Sequence, residues 1–296
     1  MSSRDYQLYK YTPSKVAAIV SAIVFAVCAV VLVVQLQYLG RVYRRRGLEK
    51  KVVRSIWSKH ICLLLGCVFE AVGFLARIVS SNNQNALGPY IVQSCLVLVA
   101  PALMAASIYM LFGRMLRLLQ LTSLSFVPSR FFTAVFVTGD LVSFMMQCTG
   151  GGMMATESKQ TLGTRIVSVG LVVQLIIFGL FMITEVRFAM QAEAKSPLVK
   201  SISRTWFKLN MVLFAASMLI LVRSVIRLVE FFQGFDGYII TREWFLYAFD
   251  ALPMAAVPVM VICIYWRHSI FELEDEVSKF ECDTLMYNIK AGEIIE

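Results

Sequence analysis

Seven ionisable side chains stand inside stretches that are otherwise apolar: Glu70, Arg77, Asp140, Arg223, Arg227, Glu230 and Asp250. A charged group at the centre of a membrane-spanning helix costs about 2.5–3.5 kcal/mol on insertion scales, so such residues turn toward the bundle interior, pair, or line a cavity. Their spacing gives them shared faces. Glu70 and Arg77 lie seven residues apart in EAVGFLAR, Asp140 and Gln147 have the same spacing, and Arg223, Arg227 and Glu230 follow an i, i+4, i+7 pattern. Each helix thus presents one polar stripe. Two roles fit these stripes. One is an interhelical ion-pair network that fixes packing and register; the other is a polar site in an apolar bundle. The site would suit an amphiphile, whose head meets arginine or carboxylate while its hydrocarbon body lies against Phe, Leu and Val.

The elements that must position these residues are long and greasy. Of 296 residues, 58% are hydrophobic and 16% are charged, against about 45–50% apolar and 25% charged in an ordinary soluble domain. Mean hydropathy is +0.72. A bilayer core of about 30 Å needs about 20 residues of helix. Seven stretches qualify: Val16–Leu36, His60–Val79, Pro89–Leu111, Thr133–Gly152, Gly163–Thr184, Leu209–Phe232 and Trp244–Tyr265. The expected fold is all-α, a bundle of seven transmembrane helices over residues 16–265, with an extracellular N-terminus over 1–15 and an acidic cytoplasmic tail over 266–296. The first run is too long for a signal-peptide core and has no small-residue cleavage site, so it is expected to stay as an anchor.

Orientation follows from Lys and Arg in the connections. Residues 37–59 carry eight (Arg41, Arg44, Arg45, Arg46, Lys50, Lys51, Arg54 and Lys59), whereas residues 80–89 carry none. With the N-terminus outside and the C-terminus inside, the connections and termini place 19 basic residues in the cytoplasm and 6 outside. The net charge of +9 is therefore a matter of topology, not a nucleic-acid footprint, because the basic residues cluster between greasy segments. This orientation puts Arg77, Gln147, Arg227, Glu230 and Asp250 toward the outer leaflet, Arg223 somewhat deeper, and Glu70 and Asp140 near the midplane. The tail is acidic (Glu272, Glu274, Asp275, Glu276, Glu281, Asp283, Glu293 and Glu296), with Ser278 and Thr284 among the carboxylates. It reads as a solvated extension.

Small residues and prolines supply packing devices. Ala102 and Ala106 form a small-xxx-small pair, and Gly150, Gly151 and Gly152 close the fourth segment where backbones can approach closely. Pro101 and Pro253 fall inside the third and seventh segments and are expected to kink them. Most of the seven cysteines read as packing residues. Cys95 and Cys148 both lie near the expected outer face, where a bond between them is open.

Several chemistries find no support. His60 and His268 are the only histidines, and both sit at expected cytoplasmic helix ends. A zinc centre needs three strong ligands around an open position, and a His-based triad needs a base within the bundle. No lysine lies within a segment to carry a retinal Schiff base, and no G-x-x-x-x-G-K-[ST] phosphate loop occurs. The chain reads as a non-enzyme without cofactor or metal. A receptor competes as a reading, since it shares the outside N-terminus, seven helices and a hydroxyl-bearing tail. The commonest receptor class is disfavoured, because FGRMLR stands where a D-R-Y-type motif would be and the seventh segment lacks N-P-x-x-Y.

Seven strings occur in order: YTPSK at Tyr11–Lys15, EAVGFLAR at Glu70–Arg77, LGPYIVQS at Leu87–Ser94, LVAPALMAASIYMLFGRM at Leu98–Met115, GDLVSFMMQCTGGGMM at Gly139–Met154, LVRSVIRLVEFFQGFDGYI at Leu221–Ile239 and EWFLYAFDALPM at Glu243–Met254. Together they resemble the fungal RTA-like family, also called lipid-translocating exporters, and within it the yeast members linked to aminosterol resistance and to protoporphyrin and haem movement. The resemblance covers about Tyr9 to Tyr265. It implies a seven-helix protein of the fungal plasma membrane that moves amphiphiles such as sphingoid bases, sterol-like toxins or porphyrins and supports toxin resistance, with membrane lipids and the amphiphile as partners and no nucleic acid. The family's shared polar positions fall on Glu70, Arg77, Asp140, Gln147, Arg223, Arg227, Glu230, Asp236, Glu243 and Asp250. Arg77, Arg223 and Arg227 are the candidates for an anionic head group, and Glu70, Asp140, Glu230 and Asp250 for an amine or as counter-ions. A lipid-sensing receptor without transport is the alternative.

Overall fold

Apolar runs of this length must satisfy their backbone hydrogen bonds internally, and the helix does so within one segment. In a computed structural model seven helices are long and apolar enough to cross a membrane. The structure describes residues 14–45, 50–82, 87–124, 128, 131–154, 159–202, 204–233, 242–267, 270, 272–280 and 282. Asp236, His268, residues 1–13, and Glu281, Asp283, Thr284, Glu293 and Glu296 of the tail lie outside the described residues. The helices are α1 (Lys15–Arg45), α2 (Lys50–Asn82), α3 (Leu87–Leu118), α4 (Phe132–Met154), α5 (Gln160–Lys195), α6 (Thr205–Gln233) and α7, the span Glu243–Trp266.

Each helix packs on its neighbour in sequence, α7 returns to α1, and α3 touches α6 across the middle. The ring therefore closes around α3. In its most apolar stretch α3 is 61% buried, against 28–39% for the other six, which makes it the central helix. The outward face of α1, with Val16, Val20, Ile23, Val27, Val30 and Val34, is exposed, as suits a lipid-facing wall.

Helix ends follow local chemistry. α3 stops at Leu118, where Gln120 takes φ 57° and Leu121 N–H donates to the Leu116 carbonyl, the pattern of a left-handed C-terminal cap. α5 continues well past the expected Thr184 to Lys195 and ends where Ser196 is extended ahead of Pro197. Glu185 and Arg187 thus lie on a spanning helix and not in a connection.

Between α3, α4 and α5 an aromatic cluster of Tyr109, Phe112, Phe132, Phe136, Phe178 and Phe181 fills the core, with Tyr109 edge-on to Phe181 at 4.5 Å. The close approach expected near Gly150 occurs between α4 and α5. A Cβ at Gly150 would stand 2.7 Å from the Gly163 carbonyl oxygen, and one at Gly163 would stand 2.6 Å from that of Gly150. Gly151 and Gly152 face open space.

The beginning of the tail differs from a solvated extension. Residues 272–280 form a further helix, α8, whose Leu273 and Val277 are buried. Glu274 on α8 pairs with Arg114 near the end of α3.

Candidate functional site

Glu243 opens α7, and its carboxylate accepts from Arg77 of α2 at 3.0 Å and from the Tyr247 hydroxyl at 3.2 Å. Ser14 N–H, just ahead of α1, donates to both of its oxygens at 2.9 Å. The Arg77 guanidinium lies 5.8 Å from the Tyr247 ring centre, within cation–π range. Further along α7, Asp250 takes a guanidinium on each oxygen: Arg223 Nε donates to Oδ1 and Arg227 Nη2 donates to Oδ2 at 2.6 Å. Arg227 also reaches Glu230 at 3.2 Å, three residues on along α6. Arg223 spends a further N–H on the Val97 carbonyl of α3 at 2.9 Å. Asp250 is 5% exposed and Arg223 3%, so these are desolvated ions held by one another.

Glu70 completes the set. It is 1% exposed, neither of its oxygens has a hydrogen-bond partner among the described residues, and the charges acting on it are Asp250, Arg223 and Arg227. Six of the expected ligand residues, Glu70, Arg77, Arg223, Arg227, Glu230 and Asp250, therefore meet on α2, α6 and α7, with α3 closing the floor. They lie toward the end of the bundle where α2 passes to α3 and α6 to α7.

A wide turn in α7 positions this cluster. Pro253 has no N–H to offer the Phe249 carbonyl, and Leu252 N–H instead donates to Tyr247 O, five residues back, so that Tyr247–Ala251 is a π turn. The kink expected at Pro253 takes this form, and Tyr247 and Asp250 both sit on it. Pro101 is accommodated inside α3.

Two expected ligand residues lie elsewhere. Asp140 on α4 accepts from the Tyr109 hydroxyl at 2.9 Å, and its Oδ1 has no partner among the described residues. Gln147 donates to Gln174 of α5 at 2.8 Å. α4 packs on α3 and α5, which separates both from the arginines.

Glu243 is a site residue that burial cost does not single out, because it stands at the very start of its segment. Tyr109 and Tyr247 also escape a reading of the sequence; aromatic residues in apolar runs carry no signal of their own. Glu185 escapes as well. It is fully buried, both oxygens lack hydrogen-bond partners among the described residues, and Ser217 of α6 faces it. Elsewhere, His60 packs edge-on against Tyr265 at 4.9 Å. Cys95 and Cys148 stand against each other as free thiols.

Seven membrane-crossing helices enclosing a cluster of paired ions define a polytopic membrane protein whose polar centre lies inside the bundle. Residues 63–273 match the family model "RTA1 like protein", and the chain belongs to the RTA1-like family. It is 42% identical over 293 residues to "Protein RTM1" of Saccharomyces cerevisiae, covering 91% of this chain and 95% of that one. It is 41% identical over 307 residues to "Protoporphyrin uptake protein 1" of the same yeast, covering 96% and 99%. A more distant relative, "Sphingoid long-chain base transporter RSB1" of Saccharomyces cerevisiae, is 23% identical over 245 residues, covering 70% and 64%. The family membership agrees with the resemblance carried by the motifs. No solved structure matches the chain.

Proposed function

We propose that the chain is a non-enzymatic translocator of amphiphiles, and that the network on α2, α6 and α7 receives the polar head of its cargo. The observation that carries this reading is Glu70: a buried carboxylate without a hydrogen bond among the described residues, facing two arginines already committed to Asp250. A head bearing an ammonium would supply the cation that Glu70 lacks, while a head bearing carboxylates would compete with Asp250 for the arginines. The names of two relatives, one a protoporphyrin uptake protein and one a sphingoid base transporter, accord with both kinds of head. The excess of Lys and Arg in alternate connections favours an outside N-terminus, so that the network faces the outer leaflet. A fungal plasma-membrane location and a role in toxin resistance complete the proposal.

A lipid-sensing receptor is the second reading, and one observation favours it. α3 joins the network through Val97 at one end and the docked tail through Arg114 at the other, so cargo and tail share one helix.

The test is leaflet exchange in liposomes carrying the purified protein. A fluorescent sphinganine and a porphyrin should both cross faster than in empty liposomes, and Glu70→Gln should slow the sphinganine more than the porphyrin. Binding of both probes without any exchange above empty liposomes would replace transport with sensing.

A further inference from the structure

Away from the ion-pair network, α3, α4, α5 and α6 bring together Tyr109, Asp140, Glu185 and Ser217. Asp140 has one bond, from the Tyr109 hydroxyl at 2.9 Å, and its second oxygen has no partner among the described residues. Glu185 has both oxygens unpartnered among them at 0% exposure, lies within electrostatic reach of Tyr109, and faces the Ser217 hydroxyl, itself fully buried and likewise without a hydrogen bond. Neither carboxyl forms an ion pair with a described residue. The groups facing them are Tyr109 from α3, which bonds Asp140 and lies within electrostatic reach of Glu185, and Ser217 from α6, which faces Glu185. Arg187 is two residues along α5 and so projects to another side of the helix.

Two carboxylates placed in this way would be uncompensated charges in an apolar bundle, a state that proteins avoid by pairing or by neutralisation. The surroundings leave little room for a bulky counter-ion. Phe136, Phe178 and Phe181 pack on the Tyr109 ring at 4.5–6.0 Å, and the cavities beside Tyr265 and beside Ile177 are lined by none of the four polar residues. A proton is the cation that needs no cavity.

We propose that Glu185 and Asp140 form a proton-binding site, positioned by Tyr109 and Ser217, and that proton entry and exit there is the coupling step of amphiphile movement. The coupling half rests on the transport reading; the proton site does not. One H+ taken from water on one side converts a carboxylate to a neutral carboxyl, and its release to water on the other side restores the anion. The site lies in a different part of the membrane from the cargo network: Glu185 is ten residues before the Lys195 end of α5, whereas Arg227 is six before the Gln233 end of α6, and these helix ends are on opposite faces. α3, α5 and α6 run between the two levels.

Infrared difference spectra of the full-length protein in nanodiscs test the site directly. The wild type at neutral pH should show non-ionised carboxyl bands, of which Glu185→Gln and Asp140→Asn each remove one. Bands that are unchanged in both variants overturn the proposal. Coupling is read from fluorescent sphinganine in proteoliposomes under an imposed pH gradient. The gradient should change the protein-dependent exchange rate in the wild type and in Glu185→Asp, and this response should be lost in Glu185→Gln. Exchange that ignores the gradient in the wild type overturns the coupling and leaves transport standing. No exchange at all sinks the transport reading, and the infrared bands still decide the proton site.

Discussion

At one end of the bundle Asp250 is clamped between Arg223 and Arg227, and Glu243 collects bonds from Arg77, Tyr247 and Ser14. Nearer the other end Glu185 and Asp140 are as deeply buried, but among the described residues they meet only hydroxyl groups. The same side-chain chemistry, a carboxylate removed from water, is met in two ways: by an opposing guanidinium in the first place, and by polar neutral neighbours in the second. The first arrangement fixes geometry, because a carboxylate held on both oxygens locks α7 onto α6. The second leaves charge adjustable, because nothing there opposes neutralisation.

The sharpest way to break the comparison is Asp250→Asn. It leaves the buried Arg223 guanidinium without its carboxylate and Arg227 with Glu230 alone, and losing one partner of a buried pair costs about 3–5 kcal/mol. Thermal unfolding in detergent should show a larger drop for it than for either Tyr109→Phe or Glu185→Gln. Tyr109→Phe comes next: it removes the hydrogen bond to Asp140 Oδ2, and leaving a buried acceptor unsatisfied costs about 1–3 kcal/mol. The same melting experiment reads it, and an unchanged midpoint would show that the hydroxyl does not hold Asp140. Glu185→Gln should be the mildest, less than about 1 kcal/mol, since it removes neither an ion pair nor a hydrogen bond to a described residue. A loss comparable to that of Asp250→Asn would mean that Glu185 is held by a cation after all and would erase the distinction between the two clusters.

The seven spans are legible because bilayer thickness writes itself into runs of apolar residues, and the stripe on α6 is legible because Arg223, Arg227 and Glu230 repeat with the helical period. The assignment of Asp140 and Gln147 to the same centre does not follow from the sequence. Depth along a helix can be counted residue by residue, but which helix stands next to which is a property of the closed ring, and α4 sits beside α5 and not beside α7. Glu185 escapes for another reason. A charged residue after Thr184 looks like the end of a span, yet Val186, Phe188, Ala189 and Met190 continue the apolar run of α5 beyond it. Tyr109 and Tyr247 are invisible because a phenol in an apolar run is indistinguishable from packing until its partner is known.

The wide turn at Tyr247–Ala251 has a mechanical consequence. It stores one extra residue in α7, much as a dislocation stores an extra row in a crystal, and Pro253 pins it in place beside Asp250. Passing it along would rotate the segment it crosses by about 100° and slide it by about 1.5 Å, one residue's step. A single step of that size would turn Asp250 away from both arginines at once. Holding the turn at this register is therefore also what holds Asp250 against Arg223 and Arg227.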